Sequence, residues 1–124
     1  MSMIGPAGTC LHAGLACILW EVPLDELEVG VACMGIIEYA FAGISAVIGK
    51  AVVDRGWVAA DRLVHYKLHA AIDERHAEEF FAVIEKAWDD PSRHYYVEQG
   101  LELGAYVFDR LYRDMLEASR REVQ

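Results

Sequence analysis

The sequence predicts an all-α fold: a helical bundle of three long helices plus a short N-terminal one, in a single domain over 1–124. Three observations predict it. Apolar residues recur at helical spacing along most of the chain, whereas strand-like alternation is weak. Helix punctuation at Pro23, Gly56 and Asp89-Asp90-Pro91-Ser92 cuts the chain into three long periodic segments. The length of 124 residues fits one domain and leaves no room for a second substantial one.

Each element has its own signals. Within a short N-terminal segment, 1–22, residues 7–20 can form an apolar helix that Gly8 and Gly14 weaken. The first long helix is expected over 23–55. Pro23 suits a first turn, Asp25, Glu26 and Glu28 complement the positive end of the helix dipole, and Gly56 suits the exit. The second is expected over 58–89, with Leu63, Tyr66, Leu68, Ile72, Phe80, Phe81, Val83, Ile84 and Trp88 on its apolar side. Asp89-Asp90-Pro91-Ser92 stops it and starts the third, expected over 92–120, where Leu101, Leu103, Val107, Phe108, Leu111, Met115 and Leu116 mark the buried side.

Composition narrows the function. A hydrophobic fraction of 55% is high for a domain this small, which must leave much of its surface in water, so a subunit interface is expected. The net charge of −9 argues against binding nucleic acid or anionic membrane, both of which attract basic patches. Cys10, Cys17 and Cys33 form an odd set without a CxxC pair and read as small buried hydrophobes in a reducing cytoplasm. No basic residue precedes Lys50, so the N-terminus does not read as a secretory signal. From Val29 to Gly49 the only charge is Glu38, and the run is long enough to span a bilayer. A buried helix of a soluble bundle has the same composition, and the acids before the run and the carboxylate inside it favour that reading. The expectation is a cytoplasmic protein with no membrane or nucleic-acid partner.

The stretch that carries chemistry runs from His65 to His76. His69, Asp73 and His76 are spaced i, i+4, i+7 and share one helix face. Two imidazoles and a carboxylate suit Fe, Mn or Zn, and such sets with open positions suit non-heme Fe(II) chemistry. His65 lies one turn back on nearly the same face, as a ligand, proton relay or supporting partner. With Tyr66 it is the candidate for a catalytic role, although Tyr39, Tyr66, Tyr106 and Tyr112 also read as core aromatics with a polar handle. Glu38 is isolated in its apolar run, where a carboxylate is costly unless paired, protonated or metal-bound. A metal held by His69, Asp73 and His76 would compensate it; so would Arg62, Arg110 or a subunit partner. An acidic, His-containing solvated face would show the same spacing. Glu74, Arg75, Glu78 and Glu79 point away from the stripe and read as solvated. His12 and His94 have no partner pattern.

The pattern His69-x3-Asp73-x2-His76-Ala77, preceded by Glu38 in an apolar helix and followed by Gly100-Leu101-Glu102-Leu103-Gly104-Ala105, resembles the heme-oxygenase-like non-heme diiron oxidases and oxygenases, the iron-containing redox enzyme family. The resemblance covers about residues 20–118. It implies a heme-oxygenase-like half-bundle in which His69, Asp73 and His76 are ligands from one helix and Glu38 is a bridging carboxylate from another. It implies one or two iron ions, with Mn or Zn as alternatives, and O2-dependent chemistry on a small organic substrate. Members of that family carry a further Glu and His on earlier helices, and this chain matches their C-terminal half. The expectation is therefore a homodimer or a complementary N-terminal-half chain. The alternative is a non-catalytic helical oligomerisation module, or a truncated remnant of such an enzyme with a partial or absent metal site.

Overall fold

The computed structural model describes residues 26–121. It is all-α, and no strand occurs among the described residues. Among the described residues three long helices follow one another: α1 (Leu27–Asp54), α2 (His65–Asp89) and α3 (His94–Arg121), with a 3-10 turn at Ala60–Arg62. Residues 1–22, with the expected short helix and both Cys10 and Cys17, lie outside the described residues, as does Pro23.

α1 ends where the sequence places its stop. Gly56 takes φ of +69°, a left-handed conformation that glycine adopts without a Cβ clash. Its N–H donates to Val53 O at 2.9 Å, and that of Trp57 to Val52 O at 3.0 Å, so two free carbonyls of the last turn are satisfied. α2 begins at His65 rather than near 58. Leu63 is extended, at ψ 91°, and only the short Ala60–Arg62 turn intervenes, so Trp57–Val64 forms a connecting loop. The α2–α3 turn closes on Asp90, whose side chain accepts hydrogen bonds from the Ser92 backbone N–H at 2.8 Å and its hydroxyl at 2.7 Å. Backbone bonds from Arg93 and His94 to Asp90 O then start α3 just after Pro91.

Small residues set the packing. A Cβ on Gly35 would stand 2.8 Å from the Phe81 ring, and one on Gly49 would stand 3.2 Å from Leu63 and Tyr66, so α2 runs antiparallel along α1. Gly100 lies against Val29 and Ala32, and Gly104 against Cys33 and Ile36, so α3 runs parallel to α1 on another flank. α2 and α3 meet each other far less than either meets α1. The result is an up-down-up layer with α1 in the middle.

The core is correspondingly thin. Val29, Ala32, Cys33, Ala77, Ile84 and Val97 are its buried hydrophobic residues. Several side chains expected inside are outside: Leu68, Val83, Trp88, Met115 and Leu116 are exposed, as are Tyr39 and Tyr106. Tyr66 and Tyr112 are half-buried. Helical period marks these apolar residues for burial, but among the described residues the three helices form a layer that does not cover them. An open apolar groove of about 660 Å³ lies between α2 and α3, walled by Phe81, Ile84, Trp88, Val97 and Leu101 above Ile36. α1 is long and apolar enough to cross a membrane, with a mean hydropathy of 1.9 over 18 residues, and only 22% of that window is buried.

A partly buried ion pair anchors the N-terminal end of α1. Arg93, at the α2–α3 turn, donates to both oxygens of Glu28, the Nη2–Oε2 contact being 2.6 Å. This bidentate grip holds the Glu28 carboxyl below its ordinary range.

Candidate metal centre

The tight packing of α1 on α2 brings Glu38 opposite the middle of α2. One donor atom each from Glu38, Asp73 and His76 can be chosen so that all lie within 4.8 Å of one another. His76 Nδ1 is 3.7 Å from Glu38 Oε2 and 3.9 Å from Asp73 Oδ1. These separations are too long for hydrogen bonds. They match donors around one ion with bonds of about 2.1 Å, which places them roughly 3–4 Å apart. The Asp73 side chain is 1% exposed, Glu38 is 24% exposed and His76 is 41% exposed, so the cluster is closed from below and open on its imidazole side.

The electrostatics point the same way. Burial pushes the Glu38 carboxyl up, and the neighbouring Asp73 charge and hydrogen bond push it further; His76 and His69 pull it back. The only ion pair of Glu38 among the described residues is the one with His76. Arg110 pairs instead with Asp114 at 2.8 Å, so it is not the counter-charge the sequence allowed for. Two facing carboxylates beside an imidazole need a proton or a cation between them, and they are oxygen and nitrogen donors suited to Fe, Mn or Zn. Cys33 offers no thiolate alternative: it packs with Val29 against α3, and burial raises its thiol to about 11.

The other site candidates take supporting positions. His69 Nδ1 is 2.9 Å from both carboxylate oxygens of Asp73, so it grips a member of the cluster without belonging to the converging set. Metal-site carboxylates are commonly oriented by such partners. The exposed His65 ring lies tilted 4.4 Å from His69 and meets Tyr66 edge-on at 5.1 Å. The Tyr66 backbone side packs against Gly49, away from Glu38 by three turns of α1. Glu74, Arg75, Glu78 and Glu79 are exposed, as their positions off the stripe predict.

Sequence reasoning passed over two residues of α1. Phe41 meets the His69 ring edge-on at 5.3 Å and reaches Phe108 of α3 at 6.4 Å, walling the site. Ser45 is fully buried with an unpartnered hydroxyl. Both lie on the helical stripe that Glu38 starts, at i+3 and i+7, a signal that could have singled them out. None of Glu38, His69, Asp73 or His76 lines the apolar groove between α2 and α3.

Comparison with protein-family models, with curated proteins and with solved structures gives no match.

Proposed function

We propose that this protein binds a redox-active divalent metal, iron first, and acts as a non-heme iron oxidase or oxygenase on a small organic substrate. The observation that carries this reading is the convergence of Glu38, Asp73 and His76 across the α1–α2 contact. Three protein donors leave coordination positions open, which distinguishes a catalytic set from a closed structural one. Iron held there would supply O2 binding and electron transfer.

The chain's own residues then have defined work. Asp73, nearly inaccessible, is held in orientation by His69. Glu38 approaches from the facing helix, and Phe41 keeps that side of His69 apolar. His76 stands on the open side, where a substrate can approach. His65, tilted against His69, packs beside that imidazole on the solvent side. The surface of α1 and the thin core that the described residues leave uncovered support a further part of the reading, that a second copy or a complementary chain completes the bundle.

The test is anaerobic loading with Fe(II), metal analysis after desalting, and exposure to O2 with optical detection. Iron retained by the wild type, lost in His76→Ala/Asp73→Asn, and an O2-dependent spectral change are the expected results. Equal, negligible iron in both proteins would sink the proposal. The exposed large hydrophobics favour a second reading, a non-catalytic oligomerisation module. In that case chelator leaves stability unchanged while self-association persists.

A further inference from the structure

Charge is unevenly distributed along this molecule. The up-down-up arrangement gathers the C-terminal ends of α1 and α3 and the start of α2 at one end of the layer. Residues 50–67 and 118–121, which make up that end, carry six Lys/Arg and two Asp/Glu, a local charge of +4 in a chain that totals −9.

At its tip is the α1–α2 loop. Trp57 is 69% exposed, and so is Val64. The Arg55 guanidinium lies 5.1 Å over the Trp57 ring. Arg55, Arg62 and Lys67 are all exposed, and none has an ion pair among the described residues, whereas Lys50, Arg110, Arg113 and Arg121 are each paired to an acid one turn away. Three cations without an ion pair among the described residues therefore lie within ten residues of one projecting indole, and one of them covers its ring.

We propose that this loop docks the protein on an anionic lipid surface, with Trp57 in the headgroup layer and Arg55, Arg62 and Lys67 on the lipid phosphates. Tryptophan favours that layer because its ring is apolar with one polar edge. Long basic side chains lay their stems on the apolar boundary and keep their charge among the headgroups. Each such cation near an anionic bilayer strengthens binding about fivefold. A short convex loop cannot supply the roughly 800 Å² per partner of a stable protein interface, but a soft lipid surface moulds around it. The acidic total does not forbid this: the opposite charges lie mostly beyond the Debye length of about 8 Å from the tip, so the lipid feels the local +4. Glu38 is 16 residues, about 24 Å, up α1 from Asp54, so docking leaves the metal centre clear of the surface and does not depend on it.

The test is co-sedimentation of the full chain with phosphatidylcholine vesicles, with and without phosphatidylserine, at low and high salt. Binding to the phosphatidylserine vesicles alone, at least tenfold weaker in high salt, is expected. A blue shift of tryptophan emission should accompany it and vanish in Trp57→Phe. Arg55→Glu/Arg62→Glu/Lys67→Glu should abolish binding while its circular dichroism stays that of the wild type; should that variant misfold, Arg62→Gln/Lys67→Gln should still weaken binding at least tenfold. Absence of binding, binding indifferent to these variants, or equal binding to neutral vesicles overturns the proposal. So does salt-sensitive self-association that the charge reversal removes without any vesicle binding, which assigns the tip to the acidic end of another copy.

Discussion

His69 Nδ1 lies 2.9 Å from each carboxylate oxygen of Asp73, one turn further along α2, and the acid it holds is 1% exposed. A single imidazole N–H thus faces both oxygens of a carboxylate that water cannot reach. It leaves lone pairs on Asp73 free to turn toward Glu38 and His76. The pair separates two roles that equal spacing along a helix cannot separate: a donor in the converging set, and the group that orients it.

That separation is measurable. His76→Ala should abolish binding of Co(II), used as an optical probe. His69→Ala should lower Co(II) affinity about 10–100-fold with unchanged stoichiometry, because loss of an orienting partner weakens a site without deleting a donor. The opposite pattern, binding lost with His69 and kept without His76, would make His69 the ligand.

Glu38 gives a sign reversal. Its folded carboxyl titrates above the ordinary 4.5, so the metal-free protein binds more protons than the unfolded chain between those values. The stability from protonated Glu38 is fully present below 4.5 and is lost as pH rises through the raised value. Glu38→Gln should therefore stabilise the metal-free protein at neutral pH and flatten that pH dependence in urea titrations. With metal added, the same variant should be the less stable of the two. A Glu38→Gln protein less stable than wild type in chelator would contradict the carboxylate pairing.

The glycines of α3 carry the third prediction. A Cβ on Gly100 would stand 2.4 Å from Val29 O and 2.8 Å from Ala32 Cβ; on Gly104 it would stand 2.5 Å from Ile36 Cγ2. Gly100→Ala should cost about 1–3 kcal/mol by forcing α3 off α1. Gly43 has nothing within 4 Å of its Cβ position, so Gly43→Ala should instead gain roughly 0.5–1 kcal/mol from helix propensity. Denaturant midpoints read both, and equal shifts of one sign would refute the close α1–α3 contact.

Arg93 and Glu28 make the fourth. Since Glu28 titrates below 4.5 when folded, its contribution is present above 4.5 and is lost as pH falls through the depressed value. Arg93→Ala should destabilise the protein at neutral pH, and the gap to wild type should narrow in acid well below 4.5. A gap independent of pH would mean that Arg93 acts by packing alone.

Much of this was legible in the chain. Gly56 marked the end of α1 because only glycine takes its backbone conformation cheaply, and Asp90-Pro91-Ser92 marked the α2–α3 turn because its side chains replace helical hydrogen bonds. The isolation of Glu38 and the His69, Asp73, His76 spacing made them candidates before any fold was known. The Trp57–Val64 loop was not legible, since its apolar residues fit a continuing helix.

By itself the sequence determined the helices and which face of α2 holds the ionisable stripe, because helical period is a local property. Only the tertiary structure decided the rest. Gly35 and Gly49 let α2 lie close on α1, and that approach, from residues remote in sequence, put Glu38 opposite Asp73 and His76. The parallel seating of Gly100 and Gly104 on α1 left the three helices in an open layer and brought the basic ends of α1 and α3 together. Those arrangements depend on distances between helices, which no spacing within one helix encodes.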